Sequence, residues 1–371
     1  MKFSVSSNEL NKGLSTVIGA VPNKATLPIL ETILFKSEES SIKLSATDLE
    51  ISIMQRIEAD IEEPGSIAIP ARRLLETLRQ LPNITVFFEV DGQNNISFKT
   101  DKGTYKLAGD NADDFPEVPD LMDGTTIEVH TKVVQQAIAK TLFAVSNDDL
   151  RPAMMGVNFQ VGLNSTQFVS TDGHRLVKYS TTEMTTIKEQ SFIVPDKALA
   201  LIQKSISDEL TAIQVNQDHV SFKCGSTQLI TRLINEQYPN YESVIPRDND
   251  KFLSISKDQM LSTVKRVSIF SSSTTRQIRL KLDTDKLTIR AEDLDMSSEA
   301  KETIGCDYNN ESMEIGFNAK YLSDVLQNID GDEVSFEFSS PNKAGIVKPT
   351  QSDKSEEMLM LVMPVMLNSY S

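Results

Sequence analysis

The chain has 371 residues, enough for two or three domains of ordinary size. Its 37 basic and 53 acidic residues give a formal net charge of −16, which excludes nucleic-acid binding through the average surface. The longest strongly apolar run, 358–367, is too short to span a membrane, and the two distant cysteines fit neither a zinc site nor a disulfide framework.

Along the chain, six joints between an alternating apolar strand and an amphipathic helix recur about every 62 residues. Proline in a first helical turn, or asparagine as a cap, is typical of such a joint. The joints fall at Ser6, Pro70, His130, Pro195, Ser256 and Asn318. The predicted helices cover 7–21, 71–81, 131–146, 195–207, 256–270 and 318–328.

A third repeated element doubles this period to about 124 residues. Asp48, Asp172 and Asp293 each stand at the end of a predicted strand, in the same order relative to the joints. We therefore predict three repeated α+β domains, 1–123, 124–249 and 250–371, each with two helices and antiparallel sheets. Stretches rich in proline, aspartate and asparagine mark both boundaries.

Positive charge concentrates on the predicted helices. These windows hold twelve basic and five acidic residues, a net charge of +7, which leaves −23 for the rest of the chain. We expect the helices to share a surface that faces a polyanion. The chain offers neither an aromatic-rich strand for stacking bases nor a helix rich in base-reading side chains, so phosphate contact without sequence readout is the mode that remains.

One cluster suggests catalysis. Residues 171–175 place an aspartate, a histidine and an arginine together, and a hydrolase or isomerase that uses Asp172 and His174 is one reading. The competing interpretation is a turn between two strands, because Asp-Gly favours positive φ at the glycine. The chain has no Walker loop, no GxGxxG and no metal-spaced histidine pair. We predict that it is not an enzyme, that it has no catalytic residues, and that it holds no metal and no cofactor.

Five segments resemble the bacterial sliding clamp family, the β subunits of DNA polymerase III. They are KATLPILETIL at 24–34, DDFPEVPD at 113–120, STDGHRLVKYS at 170–180, YPNYESVIP at 238–246 and LVMPVML at 361–367. The resemblance covers the whole chain. It implies the clamp fold, with two subunits closing head to tail into a dimeric ring that slides on duplex DNA without reading its sequence.

The resemblance also implies a peptide pocket between the second and third domains. Its partners would be the α subunit of DNA polymerase III, the ATP-driven clamp loader, and other proteins with clamp-binding peptides, including those of mismatch repair. The pocket would comprise Met154, Thr171, Gly173, His174, Arg175, Leu176, Pro239, Val244, Leu361, Met363, Pro364, Val365 and Met366. Ser243 and Met366 replace common arginines, and residues 368–371 extend past the usual end, which shifts the expected peptide preference toward apolar contacts.

Matching positions imply two further sites. DNA would contact Lys24, Arg72, Arg73, Arg151, Lys197, Lys320 and Tyr321. Lys24 and Asp196 depart from common basic residues, which weakens the expected contact. The dimer would join Tyr105 and Leu107 to Ile269 and Phe270 of the second copy, because pairing two strand edges satisfies backbone groups and closes the ring.

The leading interpretation is a cytoplasmic, homodimeric processivity factor that tethers a polymerase to DNA, with no membrane partner. Two alternatives stay open from the sequence. One is the Asp172 and His174 enzyme, which substitution of His174 would inactivate. The other is a scaffold of repeated domains that binds no nucleic acid, in which the helix cations are merely solvated.

Overall fold

The computed structural model describes residues 1–119, 121, 124–351 and 353–367. The tail 368–371 and residues 122 and 123 of the first predicted boundary lie outside the described residues. The α-helices within the described part are α1 (Ser7–Val17), α2 (Ala71–Arg79), α3 (Thr131–Thr141), α4 (Asp196–Ser205), α5 (Lys257–Ser268) and α6 (Ala319–Asn328).

The strands before the second predicted boundary fall into two series. The first is β1 (Lys2–Ser6), β2 (Thr32–Ser37), β3 (Ser41–Thr47), β4 (Ile51–Glu58), β5 (Asp60–Glu63), β6 (Ser66–Pro70), β7 (Thr85–Val90), β8 (Asn95–Lys99) and β9 (Thr104–Ala108). The second is β10 (Thr125–His130), β11 (Gly156–Val161), β12 (Thr166–Thr171), β13 (Arg175–Thr181), β14 (Gln190–Pro195), β15 (Leu210–Val215), β16 (His219–Cys224) and β17 (Thr227–Arg232).

The remaining strands form a third series. It consists of β18 (Lys251–Ser256), β19 (Gln277–Asp283), β20 (Lys286–Asp293), β21 (Ser298–Gly305), β22 (Asp307–Tyr308), β23 (Met313–Asn318), β24 (Glu333–Phe338), β25 (Gly345–Pro349) and β26 (Glu356–Val362). Each series opens with a strand followed by a helix and contains a second strand-to-helix joint, so the repeat predicted from the sequence is confirmed at the level of element order.

All six predicted strand-to-helix joints are confirmed, since each is the last residue of a strand directly before a helix. Two of them cap their helices through side chains. The Ser256 hydroxyl accepts a hydrogen bond from the Gln259 amide, and the Asn318 carboxamide accepts from the amides of Lys320 and Tyr321. These bonds satisfy donors that the first helical turn leaves without partners, and they fix where α5 and α6 begin.

The chain packs as two compact units. The unit made of 1–134 and 197–233 contains two antiparallel sheets, in the orders β5-β1-β7-β8-β9 and β10-β15-β16-β17-β4-β3-β2-β6. Its core includes Leu10, Leu14 and Val17 of α1, all fully buried. Gly13 lets α1 approach the sheet, because a Cβ there would lie 2.8 Å from the Ile57 side chain.

The unit made of 135–196 and 234–371 also contains two antiparallel sheets. Their orders are β14-β11-β12-β13-β26-β25-β24-β18-β22 and β21-β20-β19-β23. Fully buried residues of α5 and α6, among them Met260, Val264 and Leu322, contribute to its core. No helix in the described residues is long and apolar enough to cross a membrane.

Two strand pairings join distant parts of the chain, and we call them the first and the second junction. In the first junction β4 pairs with β17, with Ile51 opposite Thr231. In the second junction β13 pairs with β26, with Arg175 opposite Val362. Each junction makes one continuous sheet out of strands from two consecutive predicted domains, which explains why contacts divide the chain into two units while the element order repeats three times.

Candidate functional site

The turn at 171–175 connects β12 to β13, as the structural interpretation of this segment predicted. One Asp172 carboxylate oxygen accepts hydrogen bonds from the amides of His174 and Arg175, at 2.9 and 3.0 Å. The Thr171 hydroxyl donates to the Arg175 carbonyl at 2.7 Å, and Gly173 has φ of +85°. The Asp172 carboxylate is therefore a structural group that holds the turn closed.

Arg175 is the buried centre of this region, with 7% of its surface exposed. Its guanidinium donates to Asp172 at 3.1 Å, to the Asp324 carboxylate of α6 at 2.5 Å, and to the Phe143 carbonyl at 2.6 Å. The same group lies 5.1 Å from the centre of the Tyr321 ring. Buried arginine is tolerated here because two carboxylates and a carbonyl satisfy its donors.

The exposed His174 belongs to this assembly through its ring and its backbone. The imidazole stacks on Tyr321, with ring centres 5.3 Å apart and planes 12° from parallel. The His174 carbonyl accepts a hydrogen bond from the Met363 amide at 2.8 Å. The turn and the segment after β26 therefore lie side by side.

An apolar cluster lies beneath the turn. Because β13 pairs with β26, Leu176 stands opposite Leu361, and both are nearly fully buried. They pack with Val169, Tyr241 and Ala344. Tyr238 packs against the same cluster, and its hydroxyl donates to the Val169 carbonyl at 3.2 Å. Burial raises the pKa of Tyr238 well above its usual value.

Seven of the other predicted pocket residues are more exposed than this cluster. Val244, Met363 and Met366 are exposed, at 48%, 38% and 78% of their surfaces. Met154, Pro239, Pro364 and Val365 are half-buried. Exposed methionine and valine beside a buried apolar cluster are typical of an adaptable protein-binding surface. Ser243 and Met366 stand at the two positions where arginine is common in the family. Met366 is exposed, and the Ser243 hydroxyl donates a hydrogen bond to the Asn240 carbonyl at 2.7 Å.

Predicted DNA-contacting residues fall on helix starts and on the loops beside them. Lys24, Arg72, Arg73, Arg151 and Lys320 are exposed. Arg72 donates to the Asn23 carboxamide at 2.7 Å, which ties the start of α2 to the loop that carries Lys24. Arg151 donates to Asp148 at 2.9 Å and to the Asp172 carbonyl at 3.0 Å, so it also braces the 171–175 turn.

Two of the predicted DNA-contacting residues, Lys197 and Tyr321, have contacts within the protein that the sequence did not predict. Lys197 forms an ion pair with Asp48 and keeps 57% of its side chain exposed. Tyr321 was predicted to contact DNA, but its ring is half-buried between His174 and Arg175. A DNA contact by Tyr321 stays a prediction, and the structure adds its contacts with two of the predicted pocket residues, His174 and Arg175.

The helix charge is less available than the sequence indicated. Lys140 of α3 has only 13% of its side chain exposed and pairs with Asp330, while Arg266 of α5 pairs with Glu302 at 2.6 Å. Lys12 of α1 pairs with Glu9 on its own helix at 2.8 Å. Ion pairing of this kind reduces the charge that the helices present to an anion.

The residues predicted for the dimer lie at edges and ends of elements. Tyr105 and Leu107 are half-buried on β9, an edge strand that pairs with β8. Ile269 and Phe270 follow α5 and are 79% and 41% exposed. Within the described part of the chain, no cluster of three histidine, cysteine or acidic residues is arranged to hold a metal ion.

Sequence reasoning missed residues that contact the predicted pocket residues. Phe143 and Asp324 hold Arg175, and Tyr238 and Tyr241 pack in the apolar cluster that contains Leu176 and Leu361. A sequence signal existed for the tyrosines, because 238–244 (YPNYESV) repeats the pattern of 115–121 (FPEVPDL) at the corresponding place in the first domain. No local signal marked Phe143 or Asp324.

Three family models match successive parts of the chain. They describe the N-terminal domain of the DNA polymerase III beta subunit at 1–119, its central domain at 128–240 and its C-terminal domain at 242–364. A beta sliding clamp from Pseudomonas putida is 30% identical over 365 residues, which cover 97% of this chain and 99% of that protein. One from Synechococcus elongatus is 29% identical over the full length of both chains.

Solved structures agree with these relatives. The DnaN sliding clamp of Pseudomonas aeruginosa, crystallised with griselimycin, has a TM-score of 0.94 and 30% identity, covering 99% of this chain and all of that one. The DNA polymerase sliding clamp of Bacillus subtilis has a TM-score of 0.93 and 26% identity, covering 99% of each chain. The similarity in both sequence and structure thus extends over nearly all of the chain.

Proposed function

The chain belongs to the DNA polymerase III beta subunit family, the bacterial β sliding clamps, and from this membership we infer that it is a non-enzymatic processivity factor of DNA replication. It encircles duplex DNA as a ring of two copies and tethers the replicative polymerase. A tether acts through effective concentration, since a polymerase that lets go stays close to the primer end and rebinds.

The repeated junction carries the proposal of a ring. β4 pairs with β17, and β13 pairs with β26, whereas β21 and β9, the counterparts of these strands at the two ends of the repeat, stand at sheet edges. Unpaired edges bind other strands readily. We propose that β21 of one copy pairs with β9 of the other, and that two such contacts close a head-to-tail dimer.

The two junctions within the chain also predict which residues of β21 and β9 would face each other between the two copies. The β8–β9 and β16–β17 hairpins correspond 124 residues apart, since Asn95 faces Ala108 and His219 faces Arg232. Ile53 faces Leu229 in the first junction. Ala291 faces Ala300 in the third repeat as Ala46 faces Ile53 in the first, so the transferred pairing sets Ala300 opposite Tyr105 of the second copy. Leu107 then lies on the same strand, and Ile269 and Phe270 provide apolar surface nearby.

The proposed DNA-binding surface is the set of helices and the loops beside them. Lys24, Arg72, Arg73, Arg151, Lys197 and Lys320, with Tyr321, would contact phosphates without reading bases. The exposure of the six basic residues supports the proposal, and the ion pairs on neighbouring helix cations predict weak, salt-sensitive contact. Retention on DNA then depends on the closed ring rather than on affinity.

The proposed partner site is the surface around Arg175. An extended peptide would place apolar side chains against the exposed Val244 and Met363, which lie beside the buried cluster of Leu176 and Leu361, while the exposed His174 and the backbone of the turn orient it. Partners of this site are the polymerase α subunit, the ATP-driven clamp loader and other proteins with clamp-binding peptides. We place the domains at 1–123, 124–249 and 250–371, and the protein in the cytoplasm with the replication machinery.

The test compares circular with linear DNA. Purified protein is loaded by an ATP-driven clamp loader onto nicked circular duplex, and retained protein is measured by gel filtration before and after one restriction cut. We expect retention on circles and release after linearisation. Equal loss from both forms contradicts the ring, and a charge reversal of Arg72, Lys197 and Lys320 that changes nothing would favour the scaffold alternative.

A further inference from the structure

Two linkers of similar sequence pack differently on the two junctions. The first linker is 115–121 (FPEVPDL), and the second linker is 238–244 (YPNYESV). Leu121 of the first linker is buried in an apolar cluster with Met54. Val244, at the corresponding place in the second linker, is 48% exposed and belongs to the proposed peptide site. The strand residues that each linker contacts explain why one of these side chains is covered and the other is not.

A hydrogen-bonded tyrosine fixes the second linker on β11 and β12. The Tyr241 hydroxyl donates to the Gln160 carboxamide oxygen at 2.8 Å and lies 3.2 Å from that of Gln167, which faces Gln160 across the two strands. Burial raises the pKa of Tyr241 above its usual value, so the hydroxyl keeps its proton and stays a donor at neutral pH. The linker is thus attached to the sheet three residues before Val244.

An ion pair fixes the same linker on β13. The Lys178 ammonium donates to a Glu242 carboxylate oxygen at 2.6 Å and lies 5.9 Å from the centre of the Tyr241 ring. The Lys178 side chain keeps 22% of its surface exposed. An ammonium group in this position cannot be covered by an apolar side chain without losing its remaining hydration. Packing of Val244 onto Lys178 is therefore unfavourable.

The first repeat has different side chains at the positions of these contacts. Strand pairing and the two linker motifs define four corresponding pairs, namely Lys36 with Gln160, Lys43 with Gln167, Met54 with Lys178 and Val118 with Tyr241. A lysine cannot accept a hydrogen bond, whereas methionine and valine can be covered without burying a polar group. The residues of the first repeat therefore favour a linker that packs onto the sheet, as Leu121 does.

The polar contacts of the second linker form one unit, which we call the polar latch. It consists of Tyr241, Gln160, Gln167, Lys178 and Glu242. We propose that the polar latch holds the second linker in the position that exposes Val244, and thereby sets the affinity of the peptide site. The inference rests on the proposed function and adds positioning residues to that site. A peptide binds only the fraction of molecules whose linker is in this position, so a weakened latch lowers the apparent affinity.

Exposure of residue 244 tests the position of the linker directly and needs no peptide. Val244→Cys is made in a Cys306→Ser background, since Cys224 is buried, and reaction of the introduced thiol with N-ethylmaleimide is followed by mass spectrometry. Lys178→Met, which installs the residue type of the first repeat, should slow this reaction about fivefold or more. Lys178→Arg should keep the original rate, because the ion pair is retained. Equal rates in all three proteins would overturn the proposal.

Peptide affinity tests the functional consequence. The probe is a fluorescein-labelled clamp-binding peptide of the polymerase α subunit, titrated by fluorescence anisotropy. Tyr241→Phe removes one hydrogen bond and should raise Kd about fivefold. Gln160→Leu combined with Gln167→Leu should raise Kd by a similar factor. Adding Tyr241→Phe to that pair should raise Kd no further, because all three substitutions break the same contact.

The first repeat supplies the matched control. Lys36→Gln combined with Lys43→Gln should leave the peptide Kd unchanged, and urea unfolding checks that every variant remains folded. A control pair that weakens the peptide as much as the glutamine pair, or fully additive losses with Tyr241→Phe, would contradict the latch. If wild-type protein fails to bind the peptide while Lys178→Met still slows the thiol reaction, the result counts against the proposed function and supports the latch.

Discussion

The two junctions contain the same hydrogen-bonded turn, but the side chains around the turn differ. In the first, Asp48 accepts from the amides of Glu50 and Ile51, and the Thr47 hydroxyl donates to the Ile51 carbonyl. In the second, Asp172 and Thr171 make the same bonds 124 residues later. One backbone frame therefore supports both junctions, and the side chains around it set the difference.

The first difference is electrostatic. The second oxygen of Asp48 binds Lys197, whose side chain stays 57% exposed. The second oxygen of Asp172 binds Arg175, which is 7% exposed and also holds Asp324. The first junction thus has an ion pair whose lysine is solvated, whereas in the second the arginine is buried among its partners. A buried charge loses more than a solvated one when its partner is removed.

The second difference is apolar cover. Leu121 is buried over the first junction with Met54 and Ile230. Val244, which occupies the corresponding place in the linker over the second junction, is 48% exposed. The same repeated junction is therefore covered by a buried linker side chain in the first case and leaves an apolar linker side chain exposed in the second.

The largest expected effect separates the two ion pairs. Arg175→Met leaves Asp172 and Asp324 without their cation, so we expect a loss of about 3–5 kcal/mol in the free energy of unfolding. Lys197→Met, the matched variant in the first junction, should cost less than about 1 kcal/mol. Urea unfolding followed by far-ultraviolet circular dichroism measures both, and similar losses would remove the electrostatic distinction.

A smaller effect distinguishes the linkers. Leu121→Ala opens a cavity in a buried cluster, and we expect a loss of about 2–4 kcal/mol in the same unfolding measurement. Val244→Ala should change stability by less than about 0.5 kcal/mol. It should instead weaken binding of a clamp-binding peptide about fivefold, from the loss of apolar contact. Calorimetric titration checks the peptide affinity, and the reverse pattern would contradict the assignment of open and closed junctions.

The smallest effect concerns the third residue of each turn. Gly173→Ala puts a side chain at φ of +85° and within 2.8 Å of the Arg151 guanidinium, so a loss of about 1–2 kcal/mol is expected. Leu49 already has φ of +79° and is exposed, so Leu49→Gly should stabilise by less than about 1 kcal/mol. Opposite signs in thermal unfolding support the shared turn geometry, whereas equal signs would argue against it.

Local features of this fold could be predicted from the sequence, and long-range ones could not. The joints at Pro70 and Asn318 and the turn at Gly173 follow from nearby residues, and the structure has them where they were predicted. The pairing of β4 with β17 was not predicted, because no local pattern selects a partner more than 160 residues away. A family resemblance supplied the pocket residues, and periodicity alone did not.

Single residues of the candidate site also show that long-range contacts cannot be predicted from the local sequence. Arg175 looked like one polar residue of a turn, yet its role depends on Phe143 and Asp324, which come close only when β13, α6 and the segment after α3 pack together. Lys140 was counted among the helix cations, but tertiary burial and Asp330 remove it from the surface. Charge counting along a helix cannot anticipate such pairing.

The second junction also bears on how the chain folds during synthesis. β13 is complete once residue 181 has been made, but its partner β26 ends at residue 362. At about 5–20 residues per second, roughly 10–40 s pass before that partner exists. During this interval the edge of β13 that will pair with β26 has no partner strand, and an unpaired edge readily binds other strands. Synthesis of β26 therefore closes an edge that the central sheet exposes until the chain is almost finished.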